Sequence, residues 1–162
     1  MDKTQKTIIA YDKNSKVYAE KFMNSELYIE RIKEFIEFLK VKDIVLDLGC
    51  GPGNVAKQLD LCGKDISATG IDLSEEMIAL ARLNVPGSTF YCQDIRDIEF
   101  KEKSFDAIIL SFCIVHLSDE EMAFILVYKC SIIGRNFIIK VNYVFAVNYF
   151  DGLINSHPRG EL

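Results

Sequence analysis

The stretch VLDLGCGPGN, Val45–Asn54, decides the fold. Apart from Asp47 its opening residues are aliphatic, and three glycines then follow within five positions, at Gly49, Gly51 and Gly53. A short apolar run of this kind reads as a buried parallel strand. Glycines directly after it make the turn into a helix at the carboxyl edge of the sheet, where open α/β folds bind ligands. A ligand seated there would touch the backbone of all three glycines, since side chains would hold it off and a tight turn needs φ values that glycine adopts cheaply. Spacing separates two ligand classes. A dinucleotide fingerprint, G-x-G-x-x-G, needs its third glycine at position 54, where this sequence has Asn54. Pyrophosphate also favours an uncharged approach to the helix N-terminus. Asp47 instead suits a ligand that carries an ammonium group, which leaves a nicotinamide-dependent reductase as a weaker alternative.

The flanking sequence supplies the rest of the sheet. Residues 1–24 are polar with scattered aromatics (Tyr11, Tyr18, Phe22) and read as a loose or partly helical N-terminal arm. From Ser25, SELYIERIKEFIEFLK places Tyr28, Ile32, Phe35, Ile36 and Leu39 at helical spacing, an amphipathic helix that lies on a core. After the glycines, NVAKQLDLCG is a short helix ending at Gly63, a natural C-terminal cap. SATGID is a second strand, and LSEEMIALARLN a helix with Ser74 as N-cap and Glu75 and Glu76 placed favourably against its dipole. STFYCQD is a third strand, SFDAIILSFCIVHL a fourth, and NFIIKVNY a fifth. Between the last two, SDEEMAFILVYKCSII is a helix opened by a Ser118/Glu121 capping box. Strands alternating with helices imply an α/β fold, a doubly wound parallel sheet with helices on both faces, in a single domain spanning 1–162.

Composition narrows the partners. The chain has 162 residues, 49% of them hydrophobic, enough for one sizeable core. A net charge of −5 and a pI near 5.1 offer no basic stripe, so nucleic acid is an unlikely partner. The five cysteines show no CxxC pair and no His in zinc-ligand spacing, so reduced, buried thiols in a cytoplasmic protein are expected and no metal site. No segment offers a signal core or a membrane span, so no membrane partner is expected.

With these residues in place, LDLGCGPG resembles motif I of the class I S-adenosylmethionine-dependent methyltransferases, a group that includes small-molecule and quinone-biosynthesis enzymes. The resemblance runs from about Tyr11 to Ile133 and implies a Rossmann-like sheet with S-adenosylmethionine as cofactor and S-adenosylhomocysteine as its product. It implies that Asp47, Gly49, Cys50, Gly51 and Gly53 surround the methionine end. Asp72, in TGIDLS, matches the acidic residue that binds both ribose hydroxyls, and Leu73 and Met77 match apolar positions flanking the adenine. Asp94, in CQDIRD, would receive the adenine amino group, with Ile95 packed on the ring. In SFCIVHL, Ser111, Phe112 and His116 would surround the methionine moiety and the methyl group. Tyr11 and Tyr18 match positions of an N-terminal arm that closes over the cofactor.

What the resemblance implies chemically is methyl transfer to a small-molecule acceptor, which is chiefly a matter of holding nucleophile and methyl close and aligned. A base is needed only for an acceptor protonated at neutral pH, and His116 is the catalytic candidate. The family's sheet has seven strands, the last two forming an antiparallel hairpin. Here the sequence departs from the family's pattern over 127–162, so a sheet lacking the last two strands is expected, with an exposed edge that invites a homodimer. A non-catalytic S-adenosylmethionine-binding or oligomerisation module is the alternative reading.

Overall fold

The computed structural model describes residues 3–111, 113–128 and 139–142. Five strands form one parallel sheet: β1 (Ile44–Leu48), β2 (Ser67–Asp72), β3 (Thr89–Cys92), β4 (Ala107–Ser111) and β5 (Ile139–Asn142), in the order β3-β2-β1-β4-β5. The helices are α1 (Lys3–Phe22), α2 (Glu26–Glu37), α3 (Asn54–Leu61), α4 (Glu75–Asn84) and α5 (Asp119–Tyr128). A 3-10 turn, Cys113–His116, joins β4 to α5. Because the strand order reverses beside β1, the crevice between the carboxyl ends of β1 and β4 is the topological switch point of the fold.

Alternation along the strands builds two cores. Val45, Ala107 and Ile109 face one side, where they pack with Ile32, Phe35 and Ile36 of α2, Val55 and Leu59 of α3, and Ile78 and Ala81 of α4. Leu46, Leu48, Ile108 and Leu110 face the other, against Ile95, Ile98, Phe105 and Ile125 of α5. β1 is buried on both faces, and its near-continuous aliphatic sequence is what such a strand requires. The expected helices on both faces of a parallel sheet are therefore present.

Register sets the level of the site. Leu48 lies opposite both Ile71 and Leu110, Asp72 opposite Cys92, and Ser111 opposite Asn142, so the strands end together along one edge. Local signals behave as their chemistry dictates. Ser74 Oγ accepts from Met77 N at 3.1 Å, Gly63 takes φ +73° after α3, and Ser118 and Glu121 exchange the two bonds of a capping box.

Two expectations are corrected. The N-terminal arm is one continuous helix of 20 residues. Its stability comes from packing on α4 and from aromatic contacts, Tyr18–Phe22 at 4.6 Å within the helix and Phe22 on Tyr28 of α2 at 5.2 Å, a contribution that its polar composition hides. The fourth strand ends at Ser111, and Cys113–His116 coils into the 3-10 turn instead of continuing it. The expected loss of the last two strands concerns the segment after Asn142, which lies outside the described residues.

Candidate active site

The carboxyl ends of β1, β2 and β4 open into a cleft roofed by α1. Its floor is the glycine turn. Gly49 and Cys50 both donate backbone N–H to Ile71 O, at 2.8 and 2.9 Å, which folds the turn back over β2. Gly49, Gly51 and Gly53 all adopt positive φ, +77°, +52° and +91°, so the glycines are there for conformation as well as for access.

Not all three face the cleft. Gly49 and Gly51 line it, and a side chain on Gly51 would project towards the Tyr18 ring. Gly53 points the other way, where a Cβ would meet Ala81 and Val85 at 3.4–3.5 Å. It lets the α3 N-terminus pack closely on α4, and Gly53 is not among the residues that line the cleft. Asp47 (1% exposed) and Cys50 (4% exposed) are likewise buried behind the turn and do not form its wall. Burial raises the Cys50 thiol well above its ordinary value, with the Asp47 and Asp72 charges adding to the effect, so it stays protonated.

Asp72 occupies the rim. Its Oδ2 accepts from Gly51 N and its Oδ1 from Ser74 N, each at 2.9 Å, so one carboxylate ties the glycine turn to the start of α4. Burial pushes its pKa up, the backbone N–H groups of Ser74, Gly51 and Leu73 pull it back in part, and the Asp12 carboxylate adds to the rise. Asp12 itself accepts a hydrogen bond from Ser74 Oγ and so pins α1 to the N-cap of α4. Leu73, Met77 and Ile95 give the neighbouring wall an apolar surface.

Along α1 the side chains of Thr4, Thr7, Ile8, Tyr11 and Tyr18 recur at helical spacing and face the cleft. Tyr11 Oη lies 3.0 Å from His116 Nε2, with the two rings edge to face at 5.6 Å. Burial first, and then the charge of Asp72, raises the Tyr11 phenol, which therefore donates to the imidazole at neutral pH. Tyr18, buried more deeply, is raised further. Cys113 lines the same end and donates Sγ–H to Leu48 O at 3.0 Å.

Asp94 carries more partners than expected. Its Oδ1 accepts from Arg96 N and Nε, both at 2.9 Å, and its Oδ2 accepts from Nε at 3.0 Å and from Nη2. Burial opposes ionisation of Asp94, but the Arg96 bonds and charge outweigh it and hold the pKa below the usual carboxylate range.

The structure thus gathers Tyr11, Tyr18, Gly49, Gly51, Asp72, Leu73, Met77, Asp94, Ile95 and His116 around one cleft, and leaves Asp47, Cys50 and Gly53 as its supports. Ser111 closes β4 at the same edge, but its side chain and the whole of Phe112 lie outside the described residues. Thr4, Thr7, Ile8, Ser74, Arg96, Cys113 and Leu117 complete the lining and were not singled out from the sequence as site residues. The α1 trio could have been found from its i, i+3, i+4 spacing before Tyr11. Among the described residues there is no cluster able to hold a metal ion, and no helix is long and apolar enough to cross a membrane.

A parallel sheet with this strand order, a glycine turn after β1 and an acid ending β2 defines an open α/β domain with its crevice at the topological switch point. Comparison with known proteins sharpens the class. A family model described as a methyltransferase domain matches residues 45–129, and the chain belongs to that family. Malonyl-[acyl-carrier protein] O-methyltransferase of Bacillus cereus is 36% identical over 103 residues, which are 62% of this chain and 36% of that protein. Phosphoethanolamine N-methyltransferase 2 of Caenorhabditis elegans is 33% identical over 137 residues, 80% of this chain and 31% of that one. The chain therefore spans about a third of the length of these curated relatives. In fold it resembles magnesium protoporphyrin IX methyltransferase from Synechocystis PCC 6803, with a TM-score of 0.70 at 18% identity, over 86% of this chain and 76% of that structure.

Proposed function

We propose that the chain binds S-adenosylmethionine in this cleft and transfers its methyl group to a small-molecule acceptor at the Tyr11–His116 end. The observation that carries the reading is the linkage of Gly51 N to Asp72 Oδ2 at the cleft rim, which sets a bare backbone beside a carboxylate suited to a vicinal diol. The residues fit the cofactor part by part. Gly49 and Gly51 admit a ligand against the main chain, Asp72 suits the ribose, and Leu73, Met77 and Ile95 suit a flat base. When bound, the sulfonium supplies an electrophilic methyl group that moves in line to the acceptor.

The chain's own groups then have limited work. Tyr18 and Tyr11 roof the cleft and exclude water from it. Where the acceptor must lose a proton, the Tyr11 oxygen takes it while passing its own proton to His116 Nε2, to which it already donates. A phenol held protonated by burial is fitted to that neutral-donor role. The names of the relatives, one an O-methyltransferase and one an N-methyltransferase, make oxygen and nitrogen acceptors the first to try.

The test is formation of S-adenosylhomocysteine from S-adenosylmethionine over a panel of carboxylate, hydroxyl and amine acceptors. With an acceptor that must lose a proton, His116→Ala and Tyr11→Phe should each lower kcat by about 10²–10⁴-fold, with the KM for S-adenosylmethionine little changed. Wild-type turnover in both variants would remove the pair from the chemistry. No product from any acceptor, despite cofactor binding, would overturn the catalytic reading.

A further inference from the structure

We propose that Arg96 is a positioning residue that selects for a base bearing an exocyclic amino group, by fixing Asp94 as an acceptor-only carboxylate at the cleft wall. This inference rests on the S-adenosyl reading of the cleft and goes beyond it, to what sets the nucleoside preference.

The geometry is a fork held at both ends. Nε and Nη2 of Arg96 grip the Asp94 carboxylate, while Nη1 donates to Glu121 Oε1 at 2.7 Å. Glu121 is itself fixed, since its Oε2 accepts from Ser118 N at 2.8 Å in the capping box of α5. The guanidinium therefore bridges the loop after β3 to the first turn of α5, and Ile95 between the two charged residues is buried in the core on that face (7% exposed). A planar fork anchored this way leaves Asp94 little freedom to rotate.

Lone-pair counting then says what Asp94 can still do. An ionised carboxylate offers about four acceptor directions and no donor. Arg96 N, Nε and Nη2 are three donors that need one acceptor each, and Nε spreads itself over both oxygens at 2.9 and 3.0 Å. One acceptor direction is thus used redundantly and can be given up to a ligand. Both Asp94 and Arg96 line the cleft. A base amino group would donate into that position. A keto oxygen in the same place would face carboxylate oxygen with no proton between them, and a site built for one donor rejects its acceptor analogue strongly.

Paired calorimetric titrations with S-adenosylhomocysteine and S-inosylhomocysteine, which carries a keto oxygen in place of the 6-amino group, test this without reference to turnover. The wild type should prefer the adenine form by at least about tenfold, the scale of a hydrogen bond to a charged group. In Arg96→Met that preference should shrink to within about threefold. Arg96→Lys keeps a cation between the carboxylates and guards against a variant that fails to fold, yet an ammonium cannot bridge both oxygens, so it too should lose most of the preference. A folded variant that retains the full wild-type preference, even at reduced affinity, overturns the proposal. So does a wild type that binds both nucleosides equally, which leaves the cofactor reading standing. A wild type that binds neither overturns the cofactor reading itself.

Discussion

At the scale of one residue, Asp72 shows how backbone N–H groups hold a carboxylate that burial disfavours. Its carboxylate is largely shielded from water and its pKa is raised by burial, yet it stays in place because Gly51 N and Ser74 N hold its two oxygens. The same two bonds aim it at the cleft. Asp72→Ala should weaken binding of S-adenosylhomocysteine by about 1.5–3 kcal/mol, the value of hydrogen bonds to a charged group, and calorimetry would read this as a loss of roughly tenfold or more. Unchanged affinity would remove Asp72 from the site. The place of Asp72 at the cleft was legible from TGIDLS, because an acid that ends the strand after a glycine turn and helix lies at the carboxyl edge of the sheet. The placement of Arg96 was not, since a charged residue beside two aspartates in a loop looks like solvated surface until Glu121 is brought to it from 25 positions away.

At the scale of elements, the glycine turn does two jobs that sequence alone runs together. Gly51 gives access to the cleft, whereas Gly53 lets the start of α3 approach α4 with φ +91°. Gly53→Ala should therefore cost about 1–2 kcal/mol through the left-handed backbone, measured as a lower urea midpoint, with less effect on ligand contacts than a substitution at Gly51. An unchanged midpoint would contradict that division. Strand positions and caps were readable because they depend on near neighbours: Ser67–Asp72 is the second strand as expected, and Ser74 and Ser118 cap the helices they precede. α1 was not readable as a full helix. Its order depends on partners distant in sequence, with Asn54 Nδ2 donating to Phe22 O at 3.0 Å and Asp12 accepting from Ser74 Oγ. The turn at Cys113–His116 was hidden for the opposite reason, an apolar run that reads as more strand.

For the whole molecule, charge placement makes stability depend on pH in two directions. Asp94, where the Arg96 bonds outweigh burial, and Glu121, held by Ser118 N and then by Arg96, have lowered pKa values. Their contribution is present above the ordinary carboxylate range, about 4, and is lost as pH falls through the folded values. Asp72, raised chiefly by burial, works the other way, its contribution being lost as pH rises through its folded value. The urea midpoint should fall below about pH 4, and Glu121→Gln should make that fall shallower. An equal fall in wild type and variant would show that the Arg96 bridge does not contribute to acid stability. The same bridge, the α1 roof and the Gly51–Asp72 linkage all converge on one cleft. The most direct measurement is a calorimetric titration of the full chain with S-adenosylhomocysteine beside the Asp72→Ala variant. Saturable one-to-one binding that the variant weakens is the expected result, and a wild type that takes up no S-adenosylhomocysteine would contradict the account at its centre.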